Sequence, residues 1–260
     1  MNILKTTLGL LFTLLLAMPA ETFAQSAGGQ ISRKPKTVVK KESPAKKTPS
    51  KSTAKKPAAK KAVRSSKPIP NGAVDLGLPS GTLWADRNIG ANRPEGYGDY
   101  FAWGETSPKS EYNWSTYKYC NGSYDTRTKY NTKSSYGTVD NKTILDASDD
   151  AATANWGSNW RMPTLEEQRE LNEKCKWSWT IQNGVNGYKV TGPNGNSIFL
   201  PAAGYRNDSS VSNAGSHGGY WTAALDEGAP LHAWYMCFDP SCYGNIGTLY
   251  RGRSVRAVVR

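Results

Sequence analysis

Two histidines, four cysteines and one dense group of aspartates are the residues with the chemistry for catalysis or metal binding. His217 and His232 do not fall in a metal-ligand spacing such as His-Glu-x-x-His. His217 sits in Gly215-Ser216-His217-Gly218-Gly219, which reads as a solvated loop, and His232 opens a strand. No nucleophile elbow, phosphate loop or dinucleotide fingerprint occurs. The chain therefore offers no catalytic constellation, and neither an enzyme nor a cofactor is expected. Asp146, Asp149 and Asp150 allow two readings. Asp149 or Ser148 caps a short helix through Ala151-Ala152-Thr153-Ala154, or the three carboxylates are weak candidates for an oxygen-ligand calcium site. Cys237 and Cys242 bracket the turn Phe238-Asp239-Pro240-Ser241 and suit a local disulfide. Whether Cys120 and Cys175 pair is open at this level.

The element with the clearest local logic is Asn159-Trp160-Arg161-Met162-Pro163-Thr164-Leu165-Glu166-Glu167. Thr164 with Glu167 three residues on is a capping box, and Pro163 fixes the chain's entry. Glu166 and Glu167 in the first turn and Lys174 in the last match the helix dipole. The pattern predicts a helix from Leu165 to about Cys175, with Trp160 and Met162 as core anchors. Val74 to Asp86 reads as two short strands around Leu78-Pro79-Ser80-Gly81. Tyr97 to Gly104 is an aromatic run better suited to core than to a sugar platform. Ser110 to Asp140 reads as a long loop region with small hairpins.

Gly187 to Pro201 is the clearest hairpin, turning at Gly192-Pro193-Asn194-Gly195. Three more strands are predicted: Gly219 to Leu225, His232 to Phe238, and Arg253 to Val259. In the second of these, His232, Trp234, Met236 and Phe238 share one face, while Ala233, Tyr235 and Cys237 share the other.

Charge divides the chain. Residues 25–70 hold 14 Lys and Arg against a single acid, Glu42, whereas residues 71–260 hold 18 basic and 19 acidic residues. The basic segment is rich in Lys, Pro, Ala, Ser and Thr without aromatics, and reads as a disordered, extended linker. Residues 1–24 read as a signal peptide: Lys5, an apolar run from Leu8 to Met18, and small residues at Thr22-Phe23-Ala24. The run is too short to span a membrane, so no transmembrane segment is expected after cleavage. Residues 71–260 then form one domain, secreted, periplasmic or on the cell surface. An exported chain has no access to intracellular nucleic acid, and the basic linker is left to contact anionic envelope polymers or to act as a spacer.

Trp160-Arg161-Met162-Pro163-Thr164 running into a capped helix resembles the central motif of bacterial C-type-lectin-like domains. The resemblance is closest to the family named for the Fibrobacter succinogenes major paralogous domain, and more distant to formylglycine-generating and sulfatase-modifying proteins. It covers most of Val74 to Val259. It includes Asp75-Leu76-Gly77-Leu78-Pro79-Ser80-Gly81, Tyr97-Gly98-Asp99-Tyr100-Phe101-Ala102-Trp103-Gly104-Glu105 and Asp149-Asp150-Ala151-Ala152. Later come Phe199-Leu200-Pro201-Ala202-Ala203-Gly204-Tyr205-Arg206 and Ser254-Val255-Arg256. The resemblance implies an α+β lectin-like fold of short antiparallel sheets, one or two helices and long loops, whose two ends pair in one sheet. It implies no single activity.

By the distant resemblance, Cys237 and Cys242 correspond to a copper-binding cysteine pair, which makes a copper oxidase one alternative function; a structural envelope protein whose basic tail binds anionic polymers is the other. Glu-Pro-Asn, Gln-Pro-Asp and Trp-Asn-Asp, by which lectins of this fold hold calcium and sugar, do not occur. The expectation is a non-catalytic ligand-binding or adhesion domain at the envelope, its ligand a protein or glycan. Lectin-like domains used as variable receptors carry their changing residues on the exposed face near the C-terminus. By that resemblance, the expected contacts are Asp226, Glu227, His232, Tyr235, Asp239, Tyr243, Asn245, Tyr250 and Arg253. Tyr220, Trp221, Trp234 and Phe238 are expected as framework.

Overall fold

The computed structural model describes residues 70–238 and 245–259. The signal peptide and all of the basic linker but Pro70 lie outside them. In chain order the elements are β1 (Ala73–Asp75), β2 (Leu83–Ala85), α1 (Ala151–Trp156), β3 (Trp160–Arg161), α2 (Leu165–Lys174), β4 (Lys176–Gln182), β5 (Val185–Thr191), β6 (Ser197–Pro201), β7 (Tyr205–Asn207), β8 (Ser210–Ser212), β9 (Gly218–Leu225), β10 (His232–Phe238), β11 (Asn245–Thr248) and β12 (Val258–Val259). The strands form four short sheets, ordered β1-β2-β12-β3, β11-β10-β9, β4-β5-β6 and β7-β8. Every pairing between these strands is antiparallel. The architecture is α+β, with short antiparallel sheets and two α-helices among the described residues. Because β12 lies between β2 and β3, the first and last strands of the domain share a sheet. Of the strand expected over Arg253 to Val259, only β12 is regular. The residues before it make single bridges, Arg253 to Phe101 and Ser254 to Tyr220.

The capped helix forms as its sequence dictates. Thr164 accepts from the Glu167 amide and Glu167 reaches back to the Thr164 amide, completing the capping box. The same carboxylate takes a two-pronged bond from Arg161 and one from the Thr82 hydroxyl, so one residue ties α2 to β3 and the chain before β2. Trp160 and Met162 are buried as expected. Thr164→Ala is expected to lower stability by about 1 kcal/mol, because Arg161 keeps Glu167 in place when the hydroxyl is lost. A urea denaturation midpoint, compared with the parent's, checks this.

The cap of α1 is corrected by one residue. Neither Asp149 nor Ser148 caps it; Asp150 does, accepting from the amides of Ala152 and Thr153. Its second carboxylate oxygen accepts from the Met162 amide at 2.8 Å.

The expected hairpin is β5 with β6, paired from Gly187↔Pro201 to Thr191↔Ser197. It carries a third strand beyond those predicted. β4 pairs along β5 through a two-residue turn, Asn183-Gly184, both at positive φ. Asn-Gly between apolar alternation (Trp177, Trp179, Ile181 before it) is the standard signal for such a turn.

The aromatic run supplies the core. Trp103 donates its indole N–H to the Thr222 carbonyl and Trp221 donates its own to the Phe101 carbonyl, each at 2.8 Å. This reciprocal clamp fixes β9 against residues 101–103 and satisfies the polar edge of both buried indoles. The Tyr117 hydroxyl adds a bond to the Trp103 carbonyl. Around them the long segment after Trp103 packs as a chain of edge-to-face rings: Trp114, Tyr117, Tyr119 and Tyr130.

Candidate functional site

The region expected to bind ligand is built on β9, β10 and β11, and the structure divides its residues. Asp226 and Glu227 follow β9 at the surface. Asn245 opens β11 and is exposed, while His232 and Tyr250 are half-buried. His232 Nδ1 is buried without a hydrogen-bond partner among the described residues, and the Tyr250 ring packs edge-on to Trp114 at 5.0 Å. Asp239 and Tyr243 lie outside the described residues.

Tyr235 and Arg253 correct the expectation of solvent exposure: they are only 6% and 2% exposed. The Arg253 guanidinium lies 3.5 Å from the Tyr235 ring centre, with Trp221 and Tyr205 farther out. A Cβ at Gly219 or Gly247 would press on that guanidinium, so these glycines make its slot. Its Nε and Nη1 have no hydrogen-bond partner among the described residues.

The three aspartates do not converge either. Lys129 Nζ sits 2.6 Å from Asp146 and 2.5 Å from Asp149. Lys142 also holds Asp146, and Lys118 and the Tyr130 hydroxyl also hold Asp149. Asp150 faces backbone amides instead. No three metal-ligating side chains gather among the described residues.

These carboxylates set the acid response. Burial pushes the Asp149 carboxyl up, but bonds from Lys129, the tyrosines and Lys118 outweigh it and hold it well below the usual range. The Lys129 and Lys142 ammoniums lower Asp146. Burial raises Glu167, and Arg161 with the Thr164 amide more than reverses that. A folded-state pKa below the unfolded one contributes stability that is present above the unfolded value, about 4, and lost as pH falls through the folded one. Denaturant midpoints are therefore expected to hold between about pH 7 and 5 and to fall steeply below about pH 4. A midpoint unchanged down to about pH 2 would contradict the assignment.

The cysteines separate as well. Cys237 is held in a disulfide, while Cys120 and Cys175 are free. The expected partner, Cys242, lies outside the described residues. A disulfide sulfur is not a thiolate, so Cys237 in this form is not a soft copper ligand.

What the structure does bring together is a groove of about 320 Å³. Its walls are Thr143, Ile144, Leu165, Glu166, Ala224, Leu225, Asp226, Glu227 and Trp234. A register break makes it. Ala233 pairs with Leu225 and Tyr235 with Trp221, so Thr222 to Ala224 on β9 face Trp234 alone on β10. The extra residues turn aside: the Ala223 amide donates to the Pro163 carbonyl and its carbonyl accepts from the Leu145 amide. The Thr222 hydroxyl donates to the Trp234 carbonyl and pins the break. Such bulges re-aim side chains, and here Trp234 is left half-exposed in the groove wall, not in the framework. Asp226 and Glu227 were legible as surface residues. Ile144, Leu165, Glu166, Ala224 and Trp234 were not legible as a set, because nothing local in the sequence places residues 143–145 beside β9.

No known protein family, curated protein or solved structure matches this chain. The site is therefore read on its own geometry. It has the form of a binding surface: a concave wall of apolar and aromatic side chains with polar groups among them, carried by hydrogen-bonded strands.

Proposed function

We propose that residues 71–260 form an exported, non-catalytic ligand-binding or adhesion domain of C-type-lectin-like architecture, acting at the bacterial envelope. The observation that carries this reading is the groove beside Trp234. Its lining combines apolar and acidic side chains, and it rests on a framework locked by the Trp103–Trp221 clamp. A pre-formed concave site of this kind binds without large reorganisation. The test is a screen of the full chain against envelope glycans and peptides, run beside Ile144→Trp. Ile144 is 55% exposed, so the larger ring fills the groove without disturbing the core. Saturable binding that Ile144→Trp abolishes is the expected result. A ligand whose binding ignores that substitution would remove the groove from the reading. The basic segment 25–70 gives a second contact, electrostatic and sequence-blind, with anionic polymers. That binding would weaken steeply with added salt and would be indifferent to Ile144→Trp.

A further inference from the structure

We infer that the groove seats a lysine side chain of a separate polypeptide partner. The inference rests on the binding reading above and names the ligand's chemistry. Three carboxylates line the groove, Glu166, Asp226 and Glu227, and none of them makes an ion pair among the described residues. Glu166 and Glu227 are exposed and Asp226 is half-buried, so their charge is open to a partner arriving from solvent. Two basic residues beside the lining segments are engaged, while Arg169, one turn along α2 from Glu166, is exposed. Lys142 is bound to Asp146, and Lys133 donates to the Gly228 carbonyl. Asp226 is held in place by the Gly228 amide, which uses one of its oxygens.

The lining thus combines three carboxylates outside any ion pair among the described residues with an apolar wall of Ile144, Leu165, Ala224, Leu225 and Trp234. An anion would be repelled, and a neutral polyol would leave the carboxylate charge unmatched. A free ammonium ion would leave the apolar wall unused. A methylene stem ending in an ammonium satisfies both: the stem lies on the apolar wall and the head meets a lining carboxylate, with the indole as an added cation partner. Low-dielectric walls strengthen the attraction above its value at an open surface.

The experiment uses the full chain and a fluorescein-labelled peptide, Gly-Ala-Lys-Ala-Gly with blocked ends, followed by anisotropy. Controls carry norleucine or arginine in place of lysine. A carbodiimide then joins contacting carboxylates to amines, and the joined residues are mapped by mass spectrometry. The lysine peptide should bind saturably, the norleucine peptide at least about tenfold more weakly, and the link should fall on Glu166, Asp226 or Glu227. The arginine peptide should bind more weakly than lysine, because its planar head does not replace a compact ammonium. Glu166→Gln combined with Glu227→Gln should weaken lysine binding by about tenfold or more, and Ile144→Trp should abolish it. If norleucine binds as well as lysine, or the double glutamine variant binds unchanged while Ile144→Trp does not bind, the cation inference fails and the groove reading stands. If Ile144→Trp binds unchanged, both fail. A link from the groove to one of the chain's own lysines overturns the separate partner.

Discussion

Arg256→Met is expected to lower stability by about 3 kcal/mol, while Arg253→Met changes it by less than about 1 kcal/mol. Both arginines are fully buried, burial depresses both guanidinium pKa values to about 10, and neither makes an ion pair among the described residues. They differ in what they bond. Arg256 donates from Nε to Asn88 Oδ1, from Nη1 to the Ala85 carbonyl and from Nη2 to the Phe199 carbonyl. One side chain so joins the end of β2 to the middle of β6, two sheets with no strand in common. Methionine keeps the volume and strands three buried acceptors, each costing on the order of 1 kcal/mol or more. Arg253 gives up a ring contact with Tyr235 and gains relief from burying a cation with two nitrogens that find no hydrogen-bond partner among the described residues. Urea titrations of the two variants read the contrast directly. Equal losses would show that packing volume governs both positions and that the bonds of Arg256 contribute little.

That pair also marks where sequence reasoning reaches its limit. The capping box at Thr164, the β5–β6 turn and the span of β10 depend on neighbours within a few residues, and each is legible. β4 is equally local, signalled by Asn183-Gly184, but its apolar stripe of three residues is too short to predict a strand by itself. Tyr235 fails for a different reason. Alternation assigns it correctly to the face shared with Ala233 and Cys237, but β10 is covered on both faces. Ala233, Tyr235 and Cys237 pack into one core cluster, Met236 and Phe238 into the other. A period of two then sorts residues between two interiors and says nothing of exposure. His232 at the strand's start is half-buried, and Trp234 stays half-exposed through a register break that depends on residues 143–145 and Pro163. The groove is therefore a product of contacts distant in sequence, whereas two of its acidic residues, Asp226 and Glu227, are visible as turn residues.

Asp150→Ala is expected to cost about 3–5 kcal/mol, at least as much as the loss of Arg256. The carboxylate is 4% exposed and serves three amides, those of Ala152 and Thr153 on one oxygen and of Met162 on the other. A lost helix cap alone costs about 1 kcal/mol; the additional cost comes from leaving the Met162 amide buried and unpaired. The damage travels along the chain. Met162 stands between β3 and the Thr164 cap, and the next carbonyl, that of Pro163, accepts from the Ala223 amide in the bulge. Asp150 thereby locks α1 to the segment that carries Leu165 and Glu166 into the groove wall. Asp150→Asn separates the two roles, since its amide keeps one acceptor and replaces the other with a donor facing a donor. If the oxygen serving α1 is retained, Asn should keep the helix cap and lose the Met162 bond, falling between the parent and Asp150→Ala in urea. Amide hydrogen exchange locates the loss: protection should drop at Met162 and along the first turn of α2 in both variants, and within α1 only in Asp150→Ala. Loss confined to α1 in both would show that Asp150 acts as a cap and nothing more.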